Sequence, residues 1–261
     1  PSPTPTCGPS APTEEAVIAS GDYDGDGAAD LAIFRPAFSL WSVRGITRLY
    51  FGADGDQPAP GDYDGDGTAE IAIFRPVSGL WSVSGISRAY FGGSEDRAAP
   101  ADFDGDGTCD AASCRGEGGR WSVRFRTRFY FGSSGAWPLP GDYAGDGEAA
   151  AGLYRPAAGQ WLIHGLTRFY FGSSDDRPVP GDYSGTGRRA GGIFRPCTGM
   201  WSLRDLTRIY FGNCLDTPSP GDFDGDGTDD PAVFRGSSGL WSLRGLSRAY
   251  FGSTGDVPVT R

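Results

Sequence analysis

Short apolar runs of about five residues, rich in Ile, Val, Phe, Tyr and Trp and cut by Gly and Pro, recur along the chain. Residues 71–75 (IAIFR) stop at Pro76, residues 80–83 (LWSV) precede a turn near Gly85, and residues 88–91 (RAYF) stop at Gly92. A loop with Asp96 then leads into a Pro-containing run, RAAP, ahead of the next acidic stretch. Runs this short cannot make useful helices, and their β-branched and aromatic content suits pleated strands. The pattern therefore predicts four strands, after which it starts again.

The step is 40 residues, with units opening at Gly21, Gly61, Ala101, Gly141, Gly181 and Gly221. The repeats thus span residues 21–60, 61–100, 101–140, 141–180, 181–220 and 221–260. Four strands in such a unit make a propeller blade, so the expected fold is all-β, a six-bladed β-propeller with four antiparallel strands per 40-residue blade. A Leu-rich solenoid would need a shorter unit, and an EF-hand array would need helices beside each loop. Residues 1–14, rich in Pro, Ser and Thr, read as a semi-extended tail, leaving residues 15–261 as a single propeller.

Ring closure has two candidates. Residues 16–20 (AVIAS) hold the place filled later by QPAP, RAAP, WPLP, RPVP and TPSP, and residues 256–260 (DVPVT) match the same inner-strand slot. AVIAS is the expected occupant, because it runs directly into the first acidic loop. In an up-and-down blade the acidic hairpin and the turn near Gly85 share one end, and the FRPxxG turn and the loop after YFG share the other.

The acidic loops carry the clearest chemistry. In GDYDGDGAADLAIFRP, Asp22, Asp24, Asp26 and Asp30 stand at positions 1, 3, 5 and 9 of a loop, with Gly27 at 6 and the carbonyl of Ala28 at 7. This is calcium-ligand spacing: the carboxylates would repel each other without a cation, and the glycine lets the backbone turn around it. The same set recurs as Asp62, Asp64, Asp66, Thr68 and Glu70; as Asp102, Asp104, Asp106, Thr108 and Asp110; and as Asp222, Asp224, Asp226, Thr228 and Asp230. About four structural Ca²⁺ ions are expected. Unit 4 has Ala144 and Ala150, while unit 5 has Ser184, Thr186 and Ala190 beside Arg188 and Arg189, so those two should be empty or weak. In unit 5 an arginine could replace the missing positive charge.

Composition changes the picture in three places. Gly (43) and Pro (20) are abundant, but 13% aromatics at fixed places make them turn punctuation rather than a sign of disorder. The formal charge of −10 disfavours nucleic acid and anionic membranes, and about four Ca²⁺ would bring it to roughly −2, so the acidity is explained by ion coordination. No run approaches the roughly 18 apolar residues of a membrane span. Calcium loops of this kind fill at extracellular concentrations, and five cysteines fit an oxidising compartment, so a secreted or surface location is expected.

The acidic loop, the DLAIFRP-type strand and the closing YFG together resemble the FG-GAP, or VCBS-type, repeats of integrin α-subunit propellers, bacterial surface proteins and a fungal propeller lectin. The likeness covers roughly residues 15–260. It implies a calcium-stabilised propeller that binds something outside the cell. Integrin-type and lectin-type propellers have seven blades against six repeats here, so ligand sites do not transfer by position.

Four series recur in every unit. Trp41, Trp81, Trp121, Trp161, Trp201 and Trp241, with the YFG residues, are expected to pack between blades; the alternative is six sugar-stacking platforms. Arginines at 35, 75, 115, 155, 195 and 235, and at 48, 88, 128, 168, 208 and 248, are expected to pair with Asp56, Asp96, Asp176, Asp216 and Asp256 rather than bind anions. Unit 3 departs from its sisters by gathering Arg115, Arg120, Arg124, Arg126 and Arg128 ahead of Trp137, and unit 4 holds the single His164. Arg120, Arg124, Arg126, Trp137 and His164 are thus ligand-site candidates, for an anionic glycan or an acidic protein segment.

Cys197 and Cys214 fall in two turns at the same end of unit 5, which makes a disulfide reasonable. Cys109 and Cys114 flank one strand, roughly 16 Å apart if extended, too far to bridge; one of them could take Cys7. With one His, no Lys and the carboxylates committed to calcium, no acid/base pair or activated nucleophile stands out. The expected function is an extracellular binding module, carbohydrate-binding (lectin-like) and not an enzyme. The alternatives are a protein-docking or structural module of a larger surface protein and, remotely, a polysaccharide lyase using Arg124 and His164.

Overall fold

The structure, a computed structural model, describes residues 21–126 and 128–259. It is an all-β propeller of six four-stranded antiparallel sheets. Blade 2 shows the plan: Gln57–Pro58 innermost, then Ala72–Arg75, Leu80–Val83 and Ser87–Tyr90 outermost. Blades 3 to 6 repeat it from Asp96–Ala98, Trp137–Pro138, Arg177–Pro178 and Thr217–Pro218. The inner strands are the Pro-rich ones because their outward edge faces the axis, where a missing N–H costs no ladder bond. They enclose an axial cavity of about 430 Å³ lined by residues such as Pro58, Ala99, Pro140, Pro180 and Pro220.

Closure differs from the sequence expectation. The inner strand of blade 1 is Val257–Val259, which pairs antiparallel with Ala32–Arg35 in the register Ala32↔Val259, Ile33↔Pro258 and Phe34↔Val257. The C-terminal segment, not AVIAS, therefore fills the slot; AVIAS, the tail of residues 1–14 and Cys7 lie outside the described residues. The physical reason is Asp256. In five of the six blades an acid at the start of the inner strand binds an arginine of the next strand, and Asp256 holds Arg35 as Asp56 holds Arg75.

Packing between blades follows the Trp series, every member of which is buried. Trp121, Trp161, Trp201 and Trp241 donate their indole N–H to the carbonyls of Phe131, Phe171, Phe211 and Phe251, so the polar edge of each ring is satisfied inside the core. The blades are also tied by a closed ring of backbone bonds at the acidic hairpins. The N–H of Ala29, Ala69, Cys109, Ala149, Arg189 and Asp229 donates to the carbonyl of Asp222, Asp22, Asp62, Asp102, Asp142 and Asp182 respectively. Each hairpin thereby fixes the first aspartate of its neighbour, including across the junction between blades 6 and 1.

Candidate metal hairpins and outer rim

The four intact hairpins bring their carboxylates together. Oxygens of Asp22, Asp24 and Asp30, of Asp62, Asp64 and Asp66, of Asp102, Asp104 and Asp110, and of Asp222, Asp224 and Asp230 all lie within 4.8 Å of one another in each group. Local hydrogen bonds build this geometry. Asp22 accepts from the N–H of Gly25 (2.6 Å) and Gly27 (2.9 Å), which curls the loop around its carboxylate, and Asp30 accepts from Tyr23 N–H (2.7 Å), which closes the loop's far end. Asp62, Asp102 and Asp222 repeat the first pattern; Glu70, Asp110 and Asp230 repeat the second.

These residues fit a hard cation. All side-chain donors are oxygen, and the ninth-position carboxyls are raised by burial first and by the converging like charges second. Burial, followed by the charges of Asp24, Asp22 and Asp26, pushes Asp30 up to about 6 against the opposing Tyr23 hydrogen bond. Asp230 is pushed to about 6 in the same way, and Glu70 and Asp110 are raised for the same reasons. The seventh-position residues, Ala28, Thr68, Thr108 and Thr228, donate their N–H to the fifth-position aspartate and so sit on the loop wall.

Hairpins 4 and 5 keep the fold of the loop without the acid cluster. Asp142 and Asp182 still collect backbone N–H groups, four and three respectively. The arginines of hairpin 5 do not stay over their own loop. Arg188 donates its Nε to the carbonyl of Tyr143 (2.7 Å), and both Arg188 and Arg189 lean over glycines of hairpin 4, Gly145 and Gly141.

The two arginine series part company. Arg35, Arg75, Arg115, Arg195 and Arg235 each bind a buried aspartate (Asp256, Asp56, Asp96, Asp176 and Asp216), and the bond raises the arginine further. Arg155 has Ala136 where an acid would be and turns to Gln160 and Ser133 instead. The same acids shape the loop after YFG: Gly52, at φ 103°, would place a Cβ 3.1 Å from Asp56, so only glycine fits there. The second series, Arg48, Arg88, Arg128, Arg168, Arg208 and Arg248, is exposed on the outer strands and forms no ion pair among the described residues, contrary to the pairing expected.

The YFG series also divides. Its phenylalanines are half-buried, but Tyr50, Tyr90, Tyr130, Tyr170, Tyr210 and Tyr250 are between 69% and 77% exposed. Strand parity explains this: Arg48 and Tyr50 lie two residues apart and share one face of the strand, while Leu49 points inward. The outer edge of all six blades thus presents the pair Arg-x-Tyr.

The unit 3 candidates do not form one patch. Arg115 and Arg120 both bind Asp96 at the end away from the hairpins. Arg126 binds Asp104 and the carbonyl of Phe103 at the hairpin end. Arg124 lies 4.5 Å from the ring centre of Phe125, a 90% exposed residue at φ 62° where four other blades have glycine. Trp137 is an inner-strand residue packed edge-on to Tyr154, and His164 rests on Phe129 and Phe131, 5.0 Å from each. The Cys197–Cys214 disulfide is not formed. The two thiols belong to separate turns, each closed by its own backbone bonds, Gly199 to Pro196 and Asp216 to Asn213. Cys109 and Cys114 are buried thiols, and burial pushes Cys114 up to about 12.

Comparison with known proteins identifies residues 16–51 as an FG-GAP repeat. No curated protein sequence matches the chain. Among solved structures, virginiamycin B lyase from Staphylococcus aureus superposes with a TM-score of 0.57 at 9% identity, covering 94% of this chain and 84% of its own. The structure of BBS1N in complex with ARL6DN superposes at 0.56 with 10% identity, covering 90% and 83%. A streptogramin B lyase superposes at 0.55 with 7% identity, covering 91% and 83%. At these identities the likeness is one of fold. Among the described residues no helix is long and apolar enough to cross a membrane.

Proposed function

We propose that this chain is a calcium-stabilised, extracellular binding module that takes carbohydrate on its outer rim. The observation that carries the reading is the ring of six exposed tyrosines, each beside an exposed arginine. A tyrosine three-quarters exposed in every copy contributes little to packing, so its recurrence calls for another role. Its ring face suits the apolar face of a pyranose, and the neighbouring guanidinium supplies donors for hydroxyls or acidic substituents. Six copies around one body favour a repeating ligand, because each further contact is made at a high effective concentration.

Calcium has a structural role in this reading. Four ions held by Asp22, Asp24, Asp26 and Asp30 and their equivalents clamp the hairpins whose backbone ring ties the blades together. Sites of this kind fill at extracellular calcium levels, which supports a secreted or surface location. The module acts by binding and not by catalysis.

A glycan array probed with and without EDTA tests the proposal. Sugar signals that fall when Tyr90, Tyr170 and Tyr250 are changed together to Ala, at unchanged melting temperature, support it. Silence on every glycan removes it and favours the second reading, a protein-docking module. That reading draws on the similarity to BBS1N, a propeller solved in complex with another protein.

A further inference from the structure

We infer that the cleft between blades 4 and 5, at the hairpin end, is a site for a small carboxylate or sulfate anion. It is separate from the outer rim, whose tyrosines stand toward the opposite ends of their strands. The inference therefore holds or fails independently of the carbohydrate reading.

The cleft has a volume of about 570 Å³, within the range of small-molecule sites. Three guanidinium groups line it: Arg188, Arg189 and Arg204. Each is held in place by a contact that leaves donors unused. Arg188 spends its Nε on the Tyr143 carbonyl. Arg204 stacks 3.9 Å from the centre of the Phe169 ring. Arg189 is packed over Gly141, with the buried carboxylate of Asp229 in blade 6 interacting with its charge from the axial side. The one acid lining the cleft is Asp205, whose side chain is 84% exposed and 3.5 Å from Arg204 Nε. The lining thus carries a positive excess on a chain of net charge −10.

The equivalent cleft between blades 2 and 3, about 500 Å³, is also lined by two arginines, Arg124 and Arg126, but there the acids outnumber them. Its hairpin contributes Asp104, Asp106 and Asp110. In hairpin 5 the third and fifth positions are Ser184 and Thr186, whose hydroxyls are 3.1 Å apart and line the blade 4–5 cleft. The Ser184 hydroxyl donates to Asp182 (3.1 Å), which leaves the Thr186 hydroxyl to donate to an anion where a carboxylate would repel it. The remaining hairpin carboxylate, Asp182, is already occupied by the N–H groups of Ser184, Thr186 and Gly187 and by the Ser184 hydroxyl. One hairpin of the ring has thus exchanged the donor set of a cation site for that of an anion site. Planar guanidinium forks match carboxylate and sulfate by paired hydrogen bonds.

Calorimetric titration of the full chain with calcium present tests this, using sodium sulfate, glucuronate and glucose as probes. Sulfate and glucuronate should both bind, glucose should not, and an oligogalacturonate arm distinguishes a free anion from one carried on a sugar polymer. The variant R188T/R204S borrows Thr68 and Ser84 from blade 2, so the changes are ones the blade already accommodates. It should weaken glucuronate and sulfate at least tenfold. Should it fail to fold, protection of Arg188 and Arg204 from phenylglyoxal by glucuronate, read by mass spectrometry, supplies the same answer. No binding of either anion to the parent chain, equal affinity in the folded variant, or no protection would overturn the inference.

Discussion

Replacing Val259 with Ala tests how the ring is closed. Val259 is fully buried among Ala32, Phe34, Trp41, Val43, Ile71 and Ile73, so it packs simultaneously on its own blade and on the second strand of blade 2. Trimming it removes two methyl groups, about 1.6 kcal/mol at roughly 0.8 kcal/mol each, and the cavity adds about another 1 kcal/mol. The expected loss is about 2–3 kcal/mol, a large share of the roughly 5–15 kcal/mol that holds a domain folded. Val259→Asp should cost more, since a carboxylate with no partner would stand inside that cluster. Urea unfolding in the presence of calcium measures both, with the midpoint falling at constant slope. A change within about 0.5 kcal/mol for Val259→Ala, typical of a surface site, would mean that another segment closes blade 1.

Three further outcomes follow from the same geometry. Asp176→Ala strips Arg195, itself 37% exposed, of a two-pronged partner at 2.7 and 2.8 Å and should cost about 1.5–3 kcal/mol in chemical denaturation; a loss under about 0.5 kcal/mol would count against the pair as a structural tie. Phe125→Gly relieves a left-handed backbone conformation and should stabilise the chain by about 1 kcal/mol, which a melting curve would register as a higher Tm, whereas a lower Tm would show that the exposed ring contributes to packing. The third concerns pH. Because Asp30 is raised to about 6 from 3.8, the ion-free fold favours its protonated form: that contribution is complete below about pH 4 and is lost as pH rises through 6. In EDTA, Asp30→Asn should therefore melt above the parent at pH 7, with the gap closing by about pH 4; a gap that does not vary with pH would contradict the assigned cause.

Much of the fold could be read from the 40-residue step, because a unit of four short apolar runs has few other ways to bury both faces. Repetition says that a residue has a common role and leaves open which. Trp201 and Tyr210 recur with equal fidelity, yet one is buried and the other 73% exposed. The alternation Arg208, Ile209, Tyr210 held the missing signal, since it sets the tyrosine on the arginine's face of the strand. Closure had a signal too: in every blade but the fourth an acid opens the inner strand, and Asp256 stands in that place before Val257. Arg188 was not legible in this way. Its side chain crosses to hairpin 4, a contact with Tyr143, 45 residues away, that only the assembled ring creates. Cys197 and Cys214 share an end of one blade, but a common end is a weaker condition than facing sulfurs.

The most direct measurement of the central claim is the number of calcium ions per folded chain, counted by calorimetric titration after exhaustive chelation and checked by elemental analysis. About four ions are expected, falling by one in each of Asp24→Ala, Asp64→Ala, Asp104→Ala and Asp224→Ala, and unchanged in Asp146→Ala of hairpin 4. A chain that binds no calcium, or one that fills all six hairpins alike, would contradict that claim.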